Sequence, residues 1–335
     1  MQPINRQPNR VRKCIHMNDR VIPDEPMHIA ILGCGGIAQK AYFPLLTSWE
    51  NIHIDCLYSH TIKHAQSAAR RWQIKHHTND LKDILGSNIK AAFVLTNKES
   101  HFEIIKDLLV NGIDVYSEKP LVVNSAQALA LAQLAEHHQR ILMVGFNRRY
   151  ALLYQKAREL MGQEKIQLAI IQKHRPSPHY TSLHDALLED SIHQIDLMRF
   201  YCGEVKVIHT DVEYKHGFLH SAMCTAVLPS GGLAQLITSH MAGAWQESVT
   251  LYGNNLSIHV NAFRDMKIYY QDHEELYGAD RPGNWIPDLT ERGFSGEIKR
   301  FFQCVEKRET PESNADEAAK TQLLLEDILT KTQNV

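Results

Sequence analysis

Residues 33–38 read Gly33-Cys34-Gly35-Gly36-Ile37-Ala38, a spacing able to hold a pyrophosphate. In a GxGxxA turn the first glycine permits a tight bend. The second leaves no Cβ between the backbone and the phosphate, and the small sixth residue lets a helix pack closely on a strand. Free N–H groups at the start of that helix then face the anion. The string alone is weak evidence, because plain glycine turns share it. Its neighbours strengthen it. His28-Ile29-Ala30-Ile31-Leu32 is a short apolar run of the buried parallel-strand kind, and the residues after Ala38 suit a helix. Gly33, Gly35, Gly36 and Ile37 are therefore expected to line the phosphates of a dinucleotide.

The next strand reads Ile52 to Leu57 and is followed by Tyr58-Ser59-His60-Thr61. A fold specific for NAD usually ends this strand on an acidic residue that takes the ribose 2′-hydroxyl. Ser59 stands there instead, with His60, Lys63 and His64 just beyond. A hydroxyl beside positive charge suits a 2′-phosphate, so the expectation leans to NADP, with NAD as the other choice. The bland alternative is that these residues only solvate the start of the next helix.

The elements that would position such a site follow in regular alternation. Ala65 to Trp72 is helix-like, Ile89 to Thr96 is a buried strand, and Asn97 or Ser100 can cap the helix that comes next. Asn111-Gly112 stops that helix, and Ile113 to Ser117 is a further strand running into Glu118-Lys119-Pro120. A helix from Ser125 to His138 and a strand from Ile141 to Gly145 complete the series. This rhythm means an α/β fold with a doubly wound parallel (Rossmann) sheet, which binds ligands outside the carboxyl ends of its strands. Thr96, Asn97 and Lys119 lie at such ends. Together with His101 and Glu118 nearby, Thr96 and Asn97 extend the expected cofactor-binding set.

Beyond Gly145 the character changes. After one helix to about Met161 come alternating stretches at Gln167–Lys173, Val205–Val212, Ala222–Leu228, Leu233–Ser239, Ser248–Tyr252, Leu256–Val260 and Lys267–Tyr270. Turn signals at Pro229-Ser230-Gly231-Gly232 and Gly253-Asn254-Asn255 join them. They read as an α+β domain with a largely antiparallel, open-faced sheet. One helix, Leu187 to Tyr201, is embedded in it, and an amphipathic helix from Asp316 to Leu329 closes the chain. The expected division is a flexible extension over 1–26, a dinucleotide-binding domain over 27–147, and a substrate and oligomerisation domain over 148–335. Too few helices are available to cover both faces of the second sheet. Ala222, Cys224, Ala226 and Leu228, with Leu233, Gln235 and Ile237, are expected on its open face, which marks an interface between copies.

Composition is that of a soluble globular protein, expected in the cytoplasm. Of 335 residues 44% are hydrophobic and 22% charged, and the formal net charge of −2 gives no reason to expect nucleic acid or an anionic membrane as partner. Residues 1–26 lack the apolar core of a signal peptide. The six cysteines, at 14, 34, 56, 202, 224 and 304, form no CxxC pair, so reduced thiols are simpler than a disulfide framework or a zinc ribbon. His76-His77 and His137-His138 lack metal-ligand spacing and read as surface residues, with no metal expected.

GxGxxA after the first strand, Glu118-Lys119-Pro120 after a later one, and the histidine-bearing helix of a second α/β domain together resemble the Gfo/Idh/MocA oxidoreductases. The resemblance covers about residues 27–330. The strings GGIAQKA, LMVGFNRRY, KHR at 173–175, LLEDSIHQID and ERGFSG look in particular like the MviM-like subgroup. The resemblance implies a nicotinamide dinucleotide on the first domain and a small-molecule substrate against the second domain's sheet. It also implies a homodimer or homotetramer formed through that sheet.

The resemblance further implies that Lys119 binds substrate and assists proton movement, and that His193 is the catalytic histidine. The family's aspartate four residues before that histidine falls on Glu189, a departure, and Asp190 matches a second aspartate of the subgroup. At i and i+4, Glu189 and His193 would share a helix face, so the carboxylate could hold the imidazole. Lys173 and Arg148 are candidate substrate ligands, although Lys173-His174-Arg175 could equally be a plain sheet edge. The chemistry is self-consistent: a histidine near neutrality exchanges the hydroxyl proton, and an ammonium stabilises the developing alkoxide. The expected activity is hydride transfer between NAD(P) and a sugar, polyol or related small carbonyl compound. Alternatives are an enzyme using tightly bound NAD transiently, a non-catalytic dinucleotide sensor, and an imine or tetrapyrrole reductase.

Overall fold

The structure is a computed structural model that describes residues 11–13, 23, 25–162, 165–278 and 288–334. The strands in chain order are β1 Val11–Lys13, β2 Met27–Leu32, β3 Ile52–Tyr58, β4 His76–Thr78, β5 Ala91–Val94, β6 Asp114–Ser117 and β7 Leu142–Val144. They are followed by β8 Leu168–His174, β9 Lys206–Lys215, β10 Phe218–Val227, β11 Leu233–Ser239, β12 Gln246–Tyr252, β13 Leu256–Asn261, β14 Asp265–Tyr270, β15 His273–Gly278 and β16 Thr332–Asn334. Two compact units result: residues 19–147 with 293–323, and residues 1–18, 148–292 and 324–335.

The first unit is built on a six-stranded, all-parallel sheet in the order β4-β3-β2-β5-β6-β7. The order reverses between β2 and β5, which makes the crevice beyond their carboxyl ends the place where such sheets take ligands. β2 and β5 are apolar almost throughout, with Ile29, Ala30, Ile31 and Leu32 and then Ala91 to Val94 fully buried, as strands covered on both faces require. The helix Phe294–Lys307 closes this core. Its Phe301 lies 5.4 Å from Phe93 and 5.7 Å from Tyr116, ring centre to ring centre.

That helix corrects the expected division of the chain, which assigned everything after residue 147 to the second domain. Residues 293–323 belong with the parallel sheet, and the C-terminal helix Ala315–Thr330 is shared between the units. An amphipathic pattern states that a helix must bury one face, but not which sheet it will cover. Most of the 1–26 extension lies outside the described residues. Within it Val11–Lys13 pairs in parallel with β15, so this piece is not a free extension.

The second unit carries a ten-stranded mixed sheet, β1-β15-β14-β13-β12-β8-β11-β10-β9-β16, antiparallel except for β1–β15, β8–β11 and β9–β16. The helix Ile192–Cys202 packs on β8 and β11. Ala222, Cys224, Ala226 and Leu228 are buried, whereas Met223 and Leu233 are exposed. The expected open face therefore mixed two faces. Cys224 pairs with the buried Leu236, and Met223 pairs with Ile237 on the opposite side. Both alternations of β10 contain apolar residues, so the pattern could not choose between registers one residue apart.

The open face is also more polar than expected. His209 holds Asp211 at 2.7 Å, Ser248 donates to Gln172 at 3.2 Å, and Thr250 meets His259 at 2.8 Å. Among the described residues no helix is long and apolar enough to cross a membrane.

Beneath the covering helix Arg149 grips Asp196 with two hydrogen bonds, of 2.8 and 2.7 Å. Both side chains are almost wholly buried. Removing one partner of such a pair leaves an uncompensated charge in the core. Asp196→Ala is expected to lower the unfolding free energy of the second unit by about 3–5 kcal/mol, as read from the urea midpoint at constant m.

Candidate functional site

The glycine loop leaves β2 at the point where the strand order reverses. Gly33 has φ of +113°, and a Cβ there would lie 2.5 Å from the backbone carbonyl of Leu95 and 2.7 Å from the nitrogen of Thr96. The loop thus passes against the end of β5 with no room for a side chain. A Cβ on Gly35 or on Gly36 would meet nothing within 4 Å. The chain is free of its own atoms in front of these two residues, on the side a pyrophosphate would occupy. The helix that follows begins at Gly36 and passes through a π-helical turn at Ala38–Tyr42, and its first N–H groups have no intrahelical acceptor. The loop fits a dinucleotide.

Around this loop lie the other expected cofactor residues. β3 ends at Tyr58 with no acidic side chain after it, Ser59 is half-buried, and His60, Lys63 and His64 are exposed. Burial pushes the Cys34 thiol up to about 11, against a hydrogen bond with the Ser59 side chain. Cys34 therefore joins the loop to the ribose end of the expected site. Thr96 follows β5, and Asn97 is the N-cap of helix Lys98–Val110.

His101 and Glu118 are internal connectors. His101 is buried, its Nδ1 3.0 Å from the carbonyls of Pro120 and Leu121 and its Nε2 3.0 Å from that of Thr96. It ties the end of β5 to the turn after β6, and burial lowers its pKa. The Glu118 carboxylate accepts from the Tyr42 hydroxyl at 2.7 Å and from the Lys119 N–H at 2.9 Å. Tyr42 lies on the π-turn after the glycine loop and its hydroxyl meets that of Tyr116 at 2.9 Å. The side chains of His101 and Glu118 thus also prop the Lys119 turn. Lys119 itself is half-buried, and its bond to Pro120 is cis.

In the second unit the histidine-bearing segment is not the uniform α-helix expected. A π-helical stretch over Ala186–Ser191 precedes the α-helix Ile192–Cys202, so Glu189 and His193 fall on opposite sides of a change in helix type. The pair expected to share an α-helical face thus spans a change of helical step. π-turns of this kind occur often at functional sites. His193 is buried and Glu189 half-exposed.

Asp190 is buried and held by two cations. Arg175 Nε lies 3.1 Å from each carboxylate oxygen and its Nη2 bonds Oδ1, while the Lys173 ammonium is 2.8 Å from Oδ1. Burial by itself would raise the Asp190 carboxyl, but these partners outweigh it and hold it well below the usual range. Burial pulls the Lys173 ammonium down to about 8 against the attraction of Asp190 and Glu247. Arg148, expected to bind substrate, grips buried Glu247 through Nε and Nη2 at 3.1 Å each. Glu247 was not singled out in the sequence, because only strand register brings it to this row.

Residues 27–146 match a family described as an oxidoreductase family with an NAD-binding Rossmann fold, Gfo/Idh/MocA. The NAD-binding region of the chain is similar to that of the Gfo/Idh/MocA oxidoreductases, and its relatives extend the similarity over most of the chain. It is 29% identical to YceM of Salmonella typhimurium, an oxidoreductase by name, over 90% of this chain and 96% of that protein. The crystal structure of the MviM dehydrogenase of Clostridium difficile superposes with a TM-score of 0.83 at 26% identity, covering 91% of this chain and 99% of that one. The scyllo-inositol 2-dehydrogenase (NAD(+)) of Bacillus subtilis is 21% identical over 86% of this chain and 89% of its own length.

The match is to an NAD-binding Rossmann fold, and the glycines of the loop make separate predictions for it. Gly35→Val should abolish dinucleotide binding in calorimetry while the melting temperature stays within a degree or so, because the new side chain enters empty space. Gly33→Ala should instead cost roughly 1–3 kcal/mol of stability from its strained backbone alone, read as a lower denaturant midpoint.

Proposed function

We propose that this oxidoreductase moves a hydride between NADP and a secondary hydroxyl or carbonyl of a sugar, polyol or related small compound. The observation that carries the reading is the glycine loop at the reversal of strand order, open only in front of Gly35 and Gly36. The bound nicotinamide supplies the hydride donor or acceptor; the protein's part is binding, orientation and proton handling. Gly33, Gly35, Gly36 and Ile37 hold the pyrophosphate, and Thr96 and Asn97 border it. Ser59, His60 and Lys63 take the 2′-phosphate; the absence of a carboxylate after β3 supports this choice.

The Lys119 ammonium stabilises negative charge developing on the substrate oxygen. His193 takes the hydroxyl proton in oxidation and returns it in reduction. Glu189 stands four residues before His193 as its candidate carboxylate. A cyclic polyol or sugar suits the relatives' names, which include an inositol dehydrogenase. The free thiols Cys34, Cys56, Cys202, Cys224 and Cys304 suit the reducing cytoplasm.

Screening inositols, hexoses and their keto forms with both cofactors tests the proposal. Tighter binding of NADP than NAD is expected, and the reverse order would reject the cofactor assignment. On the best substrate Lys119→Ala and His193→Ala should each lower kcat at least about 100-fold. Cofactor affinity should change little, and normal turnover by His193→Ala would sink the role given to that residue.

A homodimer formed through the open face of the ten-stranded sheet is the proposed assembly. Exposed Ile208, Met223 and Leu233 on its strands support it. Light scattering at micromolar concentration should give a mass of twice 38.3 kDa or a higher multiple, and the mass of one chain would refute it.

A further inference from the structure

Five charged side chains of the second unit form a row of alternating sign: Arg148, Glu247, Lys173, Asp190 and Arg175. Register explains part of it, since Lys173 on β8 pairs with Glu247 on β12 and with Thr238 on β11. Lys173 sits at the centre and is 2% exposed. Its ammonium makes an additional contact that the charge pattern does not demand: it donates to the main-chain carbonyl of Asp190 at 2.5 Å.

That carbonyl belongs to the π-turn, one residue before its end and three before His193. Where a π-turn passes into an α-helix the hydrogen-bond ladder changes step. A donor from outside the helix at that point helps keep the wider turn. Arg175 fixes the carboxylate of the same residue, so Asp190 is pinned through both its backbone and its side chain.

We propose that Lys173 and Arg175 are positioning residues: by clamping Asp190 they hold the π-turn that presents His193. The inference rests on the reading of His193 as the proton-handling group. It replaces the expectation that Lys173 binds substrate, because that ammonium is already committed to the carbonyl and carboxylate of Asp190. It also makes Asp190 the anchor of the turn and not a proton carrier. A carboxylate held so far below its ordinary range stays ionised and has little tendency to accept a proton.

Lys173→Met tests this in the full-length protein. Removing the ammonium leaves each neighbouring carboxylate with an arginine, Asp190 with Arg175 and Glu247 with Arg148, so the fold should survive. Hydrogen exchange read by mass spectrometry should then quicken about tenfold or more in peptides covering 186–196, with little change in the parallel-sheet unit. On the substrate found in the screen, kcat should fall at least about tenfold while KM moves less than about twofold.

Unchanged exchange over 186–196 would overturn the clamp. A raised KM with normal kcat would make Lys173 a substrate ligand after all, and faster exchange with unaltered kcat would reduce the row to scaffolding. Arg175→Met, at a part-exposed position, carries the same test with the same signs if Lys173→Met fails to fold. A wild-type protein that turns over none of the screened compounds would defeat the functional reading. The exchange measurement would still decide the clamp.

Discussion

The geometry of the first unit depends on one close approach. The loop after β2 presses on the end of β5 so tightly that a single methyl group at Gly33 would overlap the Leu95 carbonyl. Because the backbones touch there, the loop reaches the crevice at the reversal of strand order instead of bulging over it. The helix after the loop starts directly against the sheet, which brings Tyr42 to Glu118 and so holds the turn that carries Lys119. His101 braces the same turn from the β5 side. The glycine loop and the Lys119 turn are therefore parts of one hydrogen-bonded assembly.

The second unit solves a different problem, that of keeping charges inside. Lys173, Asp190, Glu247, Arg149 and Asp196 are all buried, and in water each would be better solvated. Their cost is offset because every member faces an opposite charge with good hydrogen-bond geometry. Such a row contributes less to net stability than a well-packed apolar core would. The row joins β8, β12 and the histidine-bearing segment through Lys173, Glu247 and Asp190.

The parallel sheet, the glycine loop and the positions of Thr96, Asn97 and Lys119 at strand ends were legible because each follows from local pattern. An apolar run, a glycine spacing and a chain alternation need no knowledge of distant residues. The roles of His101 and Glu118 were not legible in this way, since their partners lie about twenty to seventy-five residues away or on the backbone. The face of β10 was misjudged for the opposite reason: its pattern was locally compatible with two answers. The helix Phe294–Lys307 escaped notice altogether. Its amphipathic stripe acquires a meaning only once Phe93 and Tyr116 are seen to need a cover.

The π-turn at Ala186–Ser191 has a bearing on how this segment can vary in length. A π-turn holds one residue more than the α-helical turn it replaces. Because the extra residue is taken up inside the turn, losing a single residue there would let the segment relax into unbroken α-helix with both flanks in phase. A residue lost from an unbroken α-helix instead turns every side chain beyond it by about 100° about the axis. The stretch Ala186–Ser191 is therefore the place where this segment can shorten by one residue and keep the direction of His193. It is a store of slack in chain length next to the histidine.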